Sequence, residues 1–103
     1  MEAGVNGELA SAEAVAALIN ECLHRHCKVW QSLDNNLQSR YITHSGAQEI
    51  RKSMVFHEER IMATCEVARR LNINLTEGQR DMLPAKVVAE MIDRTLRALV
   101  SAS

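Results

Sequence analysis

Proline is almost missing from this 103-residue chain: Pro84 is the only one, and glycine contributes four residues. These two residue types disfavour helix most, so their scarcity among many helix formers predicts an all-α fold. Aromatic side chains are equally sparse. Trp30, Tyr41 and Phe56 are the full set, so the core has to be aliphatic, built from Leu, Ile, Val, Met and Ala. Neither sign of charge is in excess: 12 Lys and Arg stand against 13 Asp and Glu, a net charge of −1. Nucleic-acid binders usually carry a basic surplus that displaces counterions from phosphates, and its lack argues against a nucleic-acid partner. No apolar run approaches the roughly 18 residues that span a bilayer, so no membrane helix is expected. The stretch MEAGVNGELASAEA has neither the basic nor the apolar region of a secretory signal, which gives a cytoplasmic expectation. Three cysteines are an odd number, and in a reducing compartment they read as free thiols. No G-x-S-x-G, phosphate loop, HExxH or Cys-x-x-Cys is found, and a thin aliphatic bundle rarely supplies a concave pocket. The expectation is a non-enzymatic protein with no cofactor.

What the chain does contain is 47% apolar residues, enough for one folded domain. Residues 1–10, with Gly4 and Gly7, read as a flexible lead-in, and residues 11–103 as a single helical domain. The first helix is expected from Ser11, as N-cap, to about Tyr41. At 100° per residue, Val15, Leu18, Ile19, Cys22, His26, Val29, Leu33 and Leu37 form its inward stripe, flanked by Leu23 and Trp30. Asp34-Asn35-Asn36 is the one place where this helix could bend or stop. Ser45 with Gln48 suggests a capping box opening a second helix, close enough to the first for an antiparallel hairpin. That helix carries two stripes: Ala47, Ile50, Met54, Ile61, Cys65 and Ala68 on one face, and Phe56, Ala63 and Val67 nearly opposite. Asn72-Ile73-Asn74 ends it. Thr76 with Gln79 forms another capping box for a short helix, and Pro84 suits the first turn of a last one. The last helix is expected to bury Val87, Val88, Met91, Ile92, Thr95, Leu96 and Leu99.

The lengths do not balance. At 1.5 Å per residue the first two helices reach about 45 and 39 Å, the last about 24 Å. One short helix cannot cover the stripes of two long ones, and large exposed apolar patches usually mark interfaces. The expected architecture is a helical bundle: an antiparallel hairpin plus a C-terminal helix, paired by two-fold symmetry into a homodimer with a four-helix core. A break at Asp34–Asn36 would give a compact monomer instead.

Chemistry concentrates in "CLHRHC", residues 22–27. On a helix Cys22 and His26 point inward, His24 faces water and Cys27 sits at the edge, so one zinc cannot collect all four. A hairpin that pairs residue numbers summing to roughly 86 puts Cys22 near Thr64 and Cys65, and His26 near Arg60 and Ile61. His57 falls about a turn away. The metal candidates are therefore Cys22, His26 and Cys65. The simpler reading makes the cysteines small hydrophobes and gives His26 a polar partner such as Glu58.

Three short motifs compete with plain helix as readings of the same residues. Glu21-Cys22-Leu23-His24 has the Glu-x-x-His spacing of di-iron helices, but occurs once and turns His24 outward. Leu75–Gln79 resembles the LTxxQ motif of Spy-like periplasmic chaperones over five residues, and a helix cap accounts for the same letters. Glu66–Ile73 is similar to the first half of a helix-turn-helix, yet Gly78 stands where an apolar residue is needed and residues 77–82 are poor in basic groups. What remains is a small regulator or adaptor acting by protein–protein interaction. One form is an antiactivator that sequesters a transcription factor and blocks its dimerisation or DNA binding. Trp30, Phe56, Met62 and Val67 are the expected partner-binding residues. Alternatives are a secretion-type chaperone, a small DNA-binding regulator and a helical metal-binding protein.

Overall fold

The computed structural model describes the backbone of residues 2–102 and the side chains of residues 11–102. Among these residues every regular element is a helix: α1 (Glu2–Leu37), α2 (His44–Arg70), α3 (Glu77–Met82) and α4 (Ala85–Ala102). The backbone of residues 2–10, expected as a flexible lead-in, runs within α1, and the side chains of residues 1–10 lie outside the described residues. Ser11 lies inside α1 and does not cap it. The Asp34–Asn36 patch neither bends nor breaks α1 in its middle; it forms the last turn. Gln31 donates to Asn35 Oδ1 at 3.3 Å, and the Gln38 amide is shared between the carbonyls of Asp34 and Asn35. A tighter turn follows, with Ser39 N donating to the Asn36 carbonyl, so the helix ends at Leu37 rather than near Tyr41.

The cap of α2 is Thr43, not Ser45. Its hydroxyl accepts from Gly46 N at 3.0 Å and its carbonyl accepts from Ala47 N at 2.9 Å. Gln48 pairs instead with His44, at 3.3 Å. A Cβ on Gly46 would stand 2.9 Å from the Thr43 hydroxyl, so glycine there leaves the cap its room. At the other end Asn72 takes the left-handed conformation, with φ 57°. Ile73 N then donates to the Ala68 carbonyl and Asn72 N to the Arg69 carbonyl, which is the Schellman pattern. Ile73 packs against the core cluster that includes Ala68. The expected Thr76–Gln79 capping box forms, and Gln79 Nε2 also donates to Asn20 Oδ1 at 2.8 Å, tying α3 to α1. Pro84 stands immediately before α4, which starts at Ala85 as expected; it is buried and offers its carbonyl to Val88 N.

The hairpin of α1 and α2 holds the core. Ile19, Leu23, Cys27, Ile61, Met62, Ala68 and Val87 form one buried cluster, and Ile73, Leu75, Met82 and Leu83 pack against it from the α3 region. Leu23 and Ile61 are fully buried, each worth about 1.5–3 kcal/mol of transfer free energy. The cluster uses a different side of α1 from the expected one. Leu23 and Cys27, placed at the flank by periodicity, are at its centre, while Leu18 and Val29 are exposed. The segment after α2 folds over the Leu23–Cys27 side and draws the buried stripe about 90° round the helix.

The last helix departs further from expectation. Of the seven residues expected to be buried on α4, Val87 is buried, Val88 and Met91 are half-buried, and Ile92, Thr95, Leu96 and Leu99 are exposed. α4 meets α2 along Val87 and Met91 and along its polar line: Lys86 reaches Glu58 at 3.3 Å and Arg94 reaches Glu59 at 3.7 Å. The molecule measures 61 × 38 × 22 Å with a radius of gyration of 17.2 Å. A compact chain of this length would have about 13 Å. Rods of this length, lightly crossed by α4, leave much of their surface uncovered.

Candidate functional site

Two regions of the hairpin carry its chemistry. The first is a polar seam between α1 and α2. Thr64 Oγ1 donates to the Arg60 carbonyl at 2.7 Å, so the 3.0 Å contact with Cys22 has the thiol donating to Thr64. One turn along, His26 Nδ1 and His57 Nδ1 are 2.8 Å apart. Only one of the two nitrogens can hold the shared proton, so the pair needs one donor and one acceptor imidazole. The Phe56 ring stands edge-on to His57, with centroids 5.1 Å apart, and Arg60 lies 5.0 Å over Phe56. Burial, and then the positive charges of His57, Arg60 and Arg25, hold His26 below its ordinary value of 6.5. The expectation that His57 lies a turn away from His26 is therefore corrected. Glu58 is not the partner of His26 either. It is buried, and it accepts from Trp30 Nε1 at 2.8 Å on one oxygen while the other faces Lys86. This clamp joins α1, α2 and α4. The sequence signal for it was the indole N–H, which needs an acceptor when its ring is covered.

The metal candidates do not gather. Cys22 is engaged with Thr64 and His26 with His57, and among the described residues no group of three or more His, Cys, Asp or Glu side chains is placed to hold a metal ion. His24 is exposed. Cys27 is core. Burial, with Cys65 and Cys22 nearby, pushes its thiol up to about 11, and burial raises Cys65 as well. Both stay protonated at neutral pH, which makes them poor nucleophiles and poor spontaneous ligands. "CLHRHC" is thus a helical segment whose residues divide between core, interhelical contact and solvent.

The second region is apolar surface. Between α2 and the outer half of α4 runs an open trough of about 720 Å³. Met62, Ala63, Cys65, Met91, Ala98 and Leu99 supply its apolar lining, with Thr95 beside them and Glu59, Glu66, Arg69 and Arg94 at the rim. Hydrogen bonds from Arg69 and Arg70 push the Glu66 carboxyl down to about 2, so the rim keeps this anion in mild acid. On the outward side of α2, Phe56, Ala63, Val67 and Leu71 are exposed and lie within roughly 80° of one another. Ala63 belongs to both, so the trough and this stripe are one continuous surface. Of the four expected partner-binding residues, Phe56 and Val67 are on it. Met62 is buried at the trough floor, and Trp30 is half-buried in the Glu58 clamp on another side.

No helix among the described residues is long and apolar enough to cross a membrane. No protein-family model, curated protein or solved structure matches the chain.

Proposed function

We propose that this chain is a small, non-enzymatic cytoplasmic regulator that acts as a homodimer by binding another protein. The continuous surface made by the α2 stripe and the α2–α4 trough carries this reading. Its shape and chemistry suit an amphipathic helix. Apolar anchors spaced at i, i+4 and i+7 would lie along Phe56, Ala63 and Val67, methionines in the floor adapt to their shapes, and the mixed charges of the rim take the polar edges. The occupant proposed is a helix that a transcription regulator otherwise uses for its own dimerisation. Covering that helix competes directly with regulator self-association, so the mechanism is occlusion and needs no reacting group. Buried aromatic and arginine anchors dominate such contacts, and Phe56 with Arg60 stacked on it is the first candidate here.

The test is capture from the native host extract, followed by reconstitution with the captured protein once identified. The expected result is one dominant partner, a DNA-binding regulator whose operator complex is dissolved by added protein. Binding should be lost in Phe56→Asp and in Val67→Asp with helicity unchanged. A partner that binds both variants as well as the parent would remove the assigned surface, and one that stays on its DNA would remove the antiactivator mechanism.

A further inference from the structure

α4 shows two different faces. Taking 100° per residue, Val88, Ile92, Leu96 and Leu99 fall within about 80° of one another, while Val87 and Met91, which touch the hairpin, lie about 100–140° round from Ile92. Ile92 and Leu96, each 55% exposed, lie on the side away from α2, while Leu99, 63% exposed, stands at the edge of the α2–α4 trough. Spacings of four, four and three residues are those of a helix–helix seam. One flank of the stripe carries Asp93 and Arg97, paired with each other within the helix. The other flank, with Thr95 and Met91, carries no charge. Glu90 and Arg94 sit on the far side, bonded to one another and, through Arg94, to Glu59.

We propose that the occupant of this stripe is α4 of a second copy, packed antiparallel about a two-fold axis near the Thr95–Leu96 step. This rests on the homodimer reading above and assigns it a surface other than the hairpin. Charge complementarity selects the arrangement. A two-fold axis brings like flanks together, and residue numbers that sum to about 190 lie opposite one another. Asp93 then faces the partner's Arg97 and Arg97 faces the partner's Asp93, closing a ring of two anions and two cations. Ile92 meets the partner's Leu99 across the seam. A parallel pairing would instead set the Asp93–Arg97 flank against the partner's uncharged flank and form no ion pair across the seam. The area sets the strength. Two strips about 18 Å long and 10 Å wide give roughly 360 Å² in total, well short of the roughly 1,000 Å² that stable interfaces clear. The dimer is a reversible one, formed at micromolar concentrations and above, and the Phe56–Val67 stripe of α2 stays open in it.

The experiment is sedimentation equilibrium of the full chain from about 1 µM to 1 mM, with circular dichroism of each variant. The parent is expected to pass from monomer to dimer across that range. Ile92→Asp and Leu96→Asp, both at exposed positions, should raise the dissociation constant by about thirtyfold or more with unchanged helix content. Asp93→Arg alone places four cations in the ring and should weaken the dimer, and adding Arg97→Asp should restore it. Phe56→Asp should leave self-association unchanged. A dimer insensitive to Ile92→Asp but abolished by Phe56→Asp would overturn the α4 pairing and keep the homodimer. A parent that stays monomeric throughout would overturn both.

Discussion

Removing the Glu58 side chain is the sharpest test of how the three long helices are held together. In Glu58→Ala the Trp30 indole N–H, now 2.8 Å from a carboxylate oxygen, is left without its acceptor. A half-covered donor in that condition costs about 1–3 kcal/mol. The lost methylene at a buried site adds about 1 kcal/mol. The Lys86 pair contributes little, because the lysine side chain is 69% exposed and exposed pairs are worth about 0–1 kcal/mol. The expected loss is therefore about 2–4 kcal/mol, against a total stability of about 5–15 kcal/mol for a chain of this size. Glu58→Gln keeps an acceptor oxygen for the indole and should lose only about 1 kcal/mol. Urea denaturation followed by circular dichroism measures all of these, and Trp30, the only tryptophan, reports the same transition by fluorescence. Trp30→Phe should cut the Glu58→Ala loss to about 1 kcal/mol, the burial part alone, giving a coupling of about 1–3 kcal/mol in the double-mutant cycle. A Glu58→Ala loss under about 0.5 kcal/mol, or one undiminished by Trp30→Phe, would refute the clamp.

Acid should loosen the hairpin through the histidine seam. His26 is held below its unfolded value of 6.5, so the unfolded chain binds more protons, and stability is full above pH 6.5 and falls as pH drops through that value toward the folded one. Denaturation midpoints between pH 8 and 5 should show the decline, and His26→Gln should flatten it; a parent profile flat over that range would count against the shared-proton pair. Thr43→Ala removes the hydroxyl that accepts from Gly46 N and should cost about 1 kcal/mol in urea denaturation, whereas Ser45→Ala should be within about 0.5 kcal/mol of the parent. Cys27, buried and with its thiol pushed up to about 11, should resist iodoacetamide at pH 7.5 in the native protein and react once denaturant is added, as read by mass mapping of the labelled peptide.

Helix content, the hairpin and the Thr76 cap were legible in the sequence because each depends on neighbours within a turn or two: Pro and Gly placement, a 3.6-residue period, a Thr three residues before a Gln. Interhelical pairing was legible to within about a turn. Cys22 meets Thr64 as the hairpin arithmetic places it, but His26 reaches His57 and Trp30 reaches Glu58, on opposite sides of that register. Side chains of this length span the difference, and nothing in one strand of sequence says which way each will lean. The buried side of α1 was not legible. Its apolar arc is wider than the contact it makes, and the choice among Cys22, Leu23, His26 and Cys27 is made by residues 73–83, which arrive from fifty positions away. The cap of α2 lies at Thr43, two residues before the expected Ser45, and both are good caps. Gly46 decides between them, since only the Thr43 cap needs the space its missing Cβ leaves.

The most regular amphipathic helix of the chain is also the one least used by the fold, and that inversion bears on how α4 is read. A stripe contributes to folding only by leaving water. On α4 the residues that do so are Val87, with Val88 and Met91 in part, all in its first half. Beyond them the hairpin offers the helix the Arg94–Glu59 contact, and an exposed ion pair at 3.7 Å adds at most about 1 kcal/mol. A helix needed only to cover Met62 and Ile61 could stop near Met91, and a polar residue at position 92 or 96 would solvate its outer side better than Ile92 or Leu96 do. Solvation of the helix therefore does not account for those two residues, and core packing does not account for them either, since more than half of each lies in water. The proposed α4 pairing gives a seam of that spacing a use, and the Asp93–Arg97 flank limits which surfaces can supply it.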